Sequence, residues 1–185
     1  MQEVDRFSSR RPDTGRLVFG AIAGVCGTLA MTVAMRLLAR GLAADERYPL
    51  PPREIVERMV PRDLPMPMTT EPARQQATMI AHFGYGAAAG AAFAGLAGAG
   101  LTGKPNALTG AAYGVAVWAG SYLGWIPGAA VLAPAHHHPG RRNALMIAAH
   151  VVWGAVLAGS LRELERADRE VFARGAIADR PASAD

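Results

Sequence analysis

The chain contains one cysteine, one lysine and few aromatic residues, and long stretches of it carry no acid. A single thiol, Cys26, excludes an intrachain disulfide and a Cys-x-x-Cys metal or redox pair; inside an apolar run it reads as a small packing residue. The HExxH, P-loop and GxSxG patterns are also missing, so no hydrolase or nucleotide-binding signature is present. Arginines are numerous and the pI is about 9.8. They flank apolar runs and form no stripe interleaved with aromatics, which argues against nucleic acid as a partner. The longest apolar runs contain no Asp or Glu. That removes the intramembrane carboxylate on which coupled transport commonly depends.

What is present is length without charge. Leu17 to Met35, Gln75 to Gly103, Ala107 to Ala135 and Asn143 to Leu161 hold no Asp, Glu, Lys or Arg. About 20 such residues suffice to cross roughly 30 Å of hydrocarbon at about 1.5 Å per residue. The fold class expected is therefore all-α, a multi-pass transmembrane bundle of four helices. The spans are placed at about 17–38, 75–101, 107–126 and 143–161, the last continuing as a charged helix to about 172. Residues 1–16 read as a polar tail and 173–185 as a disordered one. Arg10-Arg11 precedes Pro12 and Asp13 rather than apolar residues, and the first run exceeds a signal-peptide core, so it reads as a retained helix.

The loop between the first two spans is rich in proline, including Pro49, Pro51, Pro52, Pro61, Pro65, Pro67 and Pro72, and must be largely extended. Within it, Ile55, Val56, Met59 and Val60 share one helical face while Arg53, Glu54, Glu57 and Arg58 share the other. A short amphipathic helix over 52–60 is expected, lying on the membrane surface or capping the bundle.

Small residues mark the packing faces. Gly86, Gly90, Ala94 and Gly98 repeat every four residues, forming a smooth ridge that should make the second span central. Gly20, Gly24, Gly110, Gly114 and Gly154 complete the expected packing set. The spans also read as two related pairs, with Gly20-Ala21-x-x-Gly24-Val25 matching Gly110-Ala111-x-x-Gly114-Val115. Ala81-His82-x-x-Tyr85-Gly86-Ala87 likewise matches Ala149-His150-x-x-Trp153-Gly154-Ala155. A tandem two-helix repeat explains this, and so does the abundance of glycine and alanine.

Two strings carry a family resemblance. Pro49-Leu50-Pro51-Pro52-Arg53 follows the first span, and His150-Val151-Val152-Trp153-Gly154 lies in the last, ahead of Leu161-Arg162-Glu163-Leu164. The chain resembles the YagU-type family of small bacterial inner-membrane proteins. The resemblance implies a multi-pass protein of the cytoplasmic membrane, with an acid-resistance association among some relatives and no catalytic residue to carry over.

The candidate site residues are His82 and His150. A histidine within a span is costly enough to be a functional candidate. If the repeat holds, the two face one another at one depth, where they would ligate a haem iron or another transition metal, or relay protons. The alternative is interfacial hydrogen bonding. His136, His137 and His138 form a weaker metal candidate, since consecutive loop histidines have no fixed geometry. No cofactor is required by anything else in the sequence.

Lys and Arg divide ten to nine between the two sides, and arginines crowd both terminal membrane exits. Both termini are therefore expected in the cytoplasm. The reading is a non-enzymatic inner-membrane protein of envelope or stress physiology. Its partners would be the lipid bilayer and either further copies of itself or another membrane protein. Two alternatives are a small channel or transporter along the glycine face of the second span, and a haem or metal redox protein.

Overall fold

The computed structural model describes residues 14–59 and 70–171; the tails at 1–13 and 172–185, and Pro61, Pro65 and Pro67, lie outside the described residues. Among the described residues the structure is helical and contains no strand. Three helices are long and apolar enough to cross a membrane: α1 (Thr14–Ala39), α3 (Glu71–Gly98) and α6 (Gly140–Glu170). Helix α2 (Pro51–Met59) occupies the first loop, as its amphipathic pattern requires. The third expected span is not one α-helix. It begins as α4 (Ala107–Ala119), widens into a π-helical segment (Gly120–Trp125) and ends in α5 (Ile126–Gly128).

That interruption has a local cause. Pro127 lacks an N–H and its ring crowds the carbonyl four residues back. A wider turn relieves the crowding, and the Ile126 N–H donates five residues back to Ser121 O. A Cβ added at Gly120 or Gly124 would meet nothing within 4 Å.

The exits of α3 and α5 use the same device. Leu101 N–H donates to Leu96 O (2.9 Å) and Gly100 N–H to Ala97 O (3.1 Å), with Gly100 at φ 76°. Val131 N–H donates to Ile126 O and Ala130 N–H to Pro127 O (both 3.0 Å), with Ala130 at φ 56°. Each is a Schellman cap, whose left-handed residue is ordinarily glycine. Ala130→Gly should therefore raise stability by about 1 kcal/mol, the cost of holding an L-residue there. Thermal unfolding in detergent checks this; an unchanged or lower midpoint would contradict it.

Residue size is distributed outward. On α1 the inward face is Gly20, Ala23, Gly24, Gly27, Thr28, Met31 and Met35, while Val18, Ile22, Val25, Leu29 and Val33 are exposed. Bulky apolar residues outside and small ones inside suit a helix whose outer solvent is lipid and whose association rests on close packing. Cys26 belongs to the exposed face, so it is not the packing residue expected.

The glycines set which helices touch. A Cβ on Gly20 would meet Gly90 O at 2.6 Å, and one on Gly24 would overlap the backbone of Gly86. In the other half, Gly110 lies against Gly154, and Gly114 against the backbone of His150. Backbones thus meet directly in the pairs α1–α3 and α4–α6, and α1 packs on α6 to join them. Gly98 departs from the expected set: it is exposed at the mouth of α3, where its nearest neighbour is the Arg16 side chain.

The central helix is α6, not α3. Half of the most apolar stretch of α6 is buried, against 22% for α3. The side chains explain this, because α6 inserts Trp153, Leu157 and Leu161 between its neighbours, while α3 turns its glycine ridge to α1 and buries one large side chain, Phe93. Helices α3 and α4, adjacent in sequence, are held apart by rings: Tyr113 OH donates to Ala89 O (2.9 Å) and Phe93 lies 5.0 Å from Tyr113.

Candidate functional site

Below the Phe93–Tyr113 contact, the gap between α3 and α4 opens into a cavity of about 270 Å³. Every long helix contributes to it. Met31 comes from α1, His82 and Tyr85 from α3, Ser121, Tyr122 and Trp125 from the π-helical segment, and Met146, His150 and Trp153 from α6. The roof is α2, whose Pro52, Ile55, Val56 and Met59 face inward. The amphipathic helix therefore caps the bundle.

Three polar contacts fix the roof and the loop before it. Arg53 pairs with Glu71 through two bonds, to Oε1 at 2.9 Å and Oε2 at 2.8 Å, and also contacts Glu57. These carboxylates hold the Arg53 guanidinium above even its ordinary high pKa. Arg58 donates to Val131 O (3.2 Å). Arg142 is the strongest anchor: it is only 4% exposed, and its guanidinium donates to Glu46 O (2.7 Å), Tyr48 O (3.0 Å) and Pro49 O (2.9 Å). The same group lies 3.4 Å from the Tyr48 ring centre. Three carbonyls of a loop with no helix partner are thereby satisfied by one side chain.

The two histidines line the same cavity but are not equivalent. Gly24 packs against Gly86, whereas Gly114, its match in the repeat, packs against His150. The second pair is displaced by one turn, about 6 Å along the axis. In contact register, Gly86 corresponds to His150 and His82 to Met146, so the equal depth expected from the matched strings does not hold.

Hydrogen bonding assigns both tautomers. Thr32 donates its hydroxyl to Thr28 O (2.7 Å), so Thr32 Oγ1 accepts from His82 Nε2–H at 3.3 Å. His150 Nδ1–H donates to Met146 O at 2.8 Å. The remaining nitrogens, His82 Nδ1 and His150 Nε2, carry lone pairs and have no hydrogen-bond partner among the described residues. Nearby, Trp153 Nε1–H reaches Thr28 Oγ1 (3.2 Å), and the Tyr85 and Ser121 hydroxyls bond to each other (2.9 Å). The buried Tyr122 hydroxyl has no partner among the described residues.

A haem does not fit this arrangement. The volume falls just below the range of roughly 300–1,000 Å³ that holds drug-sized ligands, and a tetrapyrrole is larger than those. A transition metal is also poorly served, since no three His, Cys, Asp or Glu side chains converge among the described residues. The loop histidines follow suit: the His136 and His137 rings lie 4.4 Å apart at a tilt of 52°, and His138 Nε2 bonds to Ala133 O. The glycine face of α3, the expected channel path, is filled by α1.

The histidines and the amphipathic helix stand out in the sequence, whereas Arg142, Tyr122 and the Tyr85–Ser121 pair do not. Arg142 could have been recognised, because a cation in the first turn of a helix opposes the helix dipole and needs a reason to be there. The hydroxyls gave no signal in a span rich in small and aromatic residues.

No curated protein and no solved structure matches the chain. A family model matches the chain and carries nothing about the YagU-type resemblance. That model covers residues 14–171, from the start of α1 through α6, and the chain belongs to the family it describes, a family of unknown function (DUF6789).

Proposed function

We propose that this is a four-pass protein of the bacterial inner membrane, with both termini in the cytoplasm, that acts by binding a small ligand rather than by catalysis. The observation that carries the reading is the cavity where all four long segments meet beneath α2. Its walls are fixed by backbone-to-backbone glycine contacts, so it is preformed, as ligand sites usually are. The α4–π–α5 run counts as the fourth span because its helical residues are continuous from Ala107 to Gly128. Two glycine-packed pairs, α1–α3 and α4–α6, also support a duplicated two-helix unit, the second packed one turn out of register with the matched strings. A role in envelope or acid-stress physiology, through a partner or a second copy, is compatible with such a binding module.

Topology is tested with reporter fusions. Fusions at Lys104 and at Asp185 should report the cytoplasm, and one within 60–69 should report the opposite compartment. Opposite signals from Lys104 and Asp185 would remove the four-span arrangement.

A further inference from the structure

We infer that the cavity recognises a neutral aromatic hydroxyl, a phenol or hydroquinone-type head group, which enters from the membrane between α3 and α4. This rests on the binding role proposed above and names its ligand.

The recognition chemistry follows from the two tautomers. His82 spends its only N–H on Thr32, and His150 spends its only N–H on Met146 O. Each imidazole therefore offers the cavity a lone pair and no proton. The two imidazoles accept, and the Tyr122 hydroxyl, which lines the same chamber without a partner among the described residues, has a proton to give, so the polar group of the ligand must donate and can also accept. A cation would donate too, but no carboxylate lines the cavity, and a charge at that depth would be uncompensated. A neutral hydroxyl meets both conditions. The rest of the lining is mainly aromatic and aliphatic, with Tyr85, Trp125 and Trp153 able to hold a flat ring by offset or edge contacts.

The entrance is legible as well. Tyr85 is 47% exposed and Trp125 43%, although both line the cavity, and their rings lie 6.3 Å apart across the α3–α4 gap. Among the described residues, this long-helix boundary of the cavity is not closed by glycine backbone contact, unlike α1–α3, α4–α6 and α1–α6. Exposed rings beside an open helix boundary give an amphipathic, membrane-dissolved ring a contact surface on its way in. The roof, tied down by Arg53 and Arg58, closes the other side.

The test uses the full chain in lipid nanodiscs, with empty nanodiscs subtracted, and titration calorimetry with two probes. 2-Naphthol donates a hydrogen bond, and 2-methoxynaphthalene has the same ring system and cannot. 2-Naphthol should bind at least about tenfold more tightly, the worth of one buried hydrogen bond. His82→Leu and His150→Leu should each reduce that preference several-fold without weakening 2-methoxynaphthalene. Should His150→Leu fail to fold, His82→Leu and the probe pair on the unaltered chain decide the matter. Equal affinities, or a preference untouched by the histidine variants, would overturn hydroxyl recognition and leave a binding cavity. Binding of neither probe would overturn the ligand class and the binding role together.

Discussion

Replacing Gly90 by leucine should abolish the folded bundle, whereas Leu96→Ala on the same helix should leave it largely intact. A Cβ at position 90 would meet Gly24 Cα at 2.7 Å and overlap Gly20 O. Both are backbone atoms of α1, so relief requires moving a whole helix rather than rotating a side chain. Overpacking a well-filled core costs about 1–3 kcal/mol when neighbours can yield; here they cannot, and the cost should exceed that range. Separating α1 from α3 would also undo the Gly24–Gly86 contact and open one wall of the cavity. Leu96 is only partly buried, and its truncation should cost about 1 kcal/mol. Thermal aggregation of the two variants in detergent decides the matter. A milder Gly90→Leu would mean that α1 and α3 do not meet through their glycines.

The sequence pattern exposed the helices because charge-free length and a four-residue glycine spacing are local properties. The spans at 17–38, 75–101 and 143–161 lie within or close to α1, α3 and α6. The amphipathic helix was legible for the same reason, since Ile55 and Val56 mark a face within nine residues. What was not legible depends on how helices are paired. The ridge of α3 marked close contact but not its position, and central placement fell instead to α6, whose large inward side chains reach several neighbours. Likewise His82 and His150 were visible as costly residues, but their one-turn offset depends on the register of α4 against α6. No repeat of glycines at four-residue spacing can set that register, because a shift by one turn preserves the pattern. The π-helical segment was signalled only by Pro127 following Trp125-Ile126, which a simple helix stop would explain equally well.

Arg142→Met should destabilise the protein by about 3–5 kcal/mol, while Arg141→Met should change it by less than about 0.5 kcal/mol. As topogenic charges the two neighbours are interchangeable, so a purely electrostatic role on the membrane surface predicts equal effects. Their surroundings differ. Arg141 is exposed, whereas Arg142 is buried and feeds hydrogen bonds to three loop carbonyls while covering the Tyr48 ring. Methionine keeps most of the stem and its packing, so the loss isolates the guanidinium. The carbonyls of Glu46, Tyr48 and Pro49 would then lack a donor in a region from which water is largely excluded, and each orphaned group costs about 1–3 kcal/mol. Lysine should rescue only in part: its ammonium keeps the charge, but a single nitrogen replaces a planar fork whose two terminal nitrogens serve three acceptors. The effect should also reach the cavity, because residues 46–49 lead directly into α2, the roof over His82 and His150. Two readouts are needed, thermal unfolding in detergent and limited proteolysis within 40–50. Arg142→Met should lower the first and accelerate the second, Arg142→Lys should fall between it and the unaltered chain, and Arg141→Met should match the unaltered chain. Equal behaviour of the two methionine variants would mean that the clamp does not hold the loop, and that α2 is seated over the cavity by Arg53 and Arg58 alone.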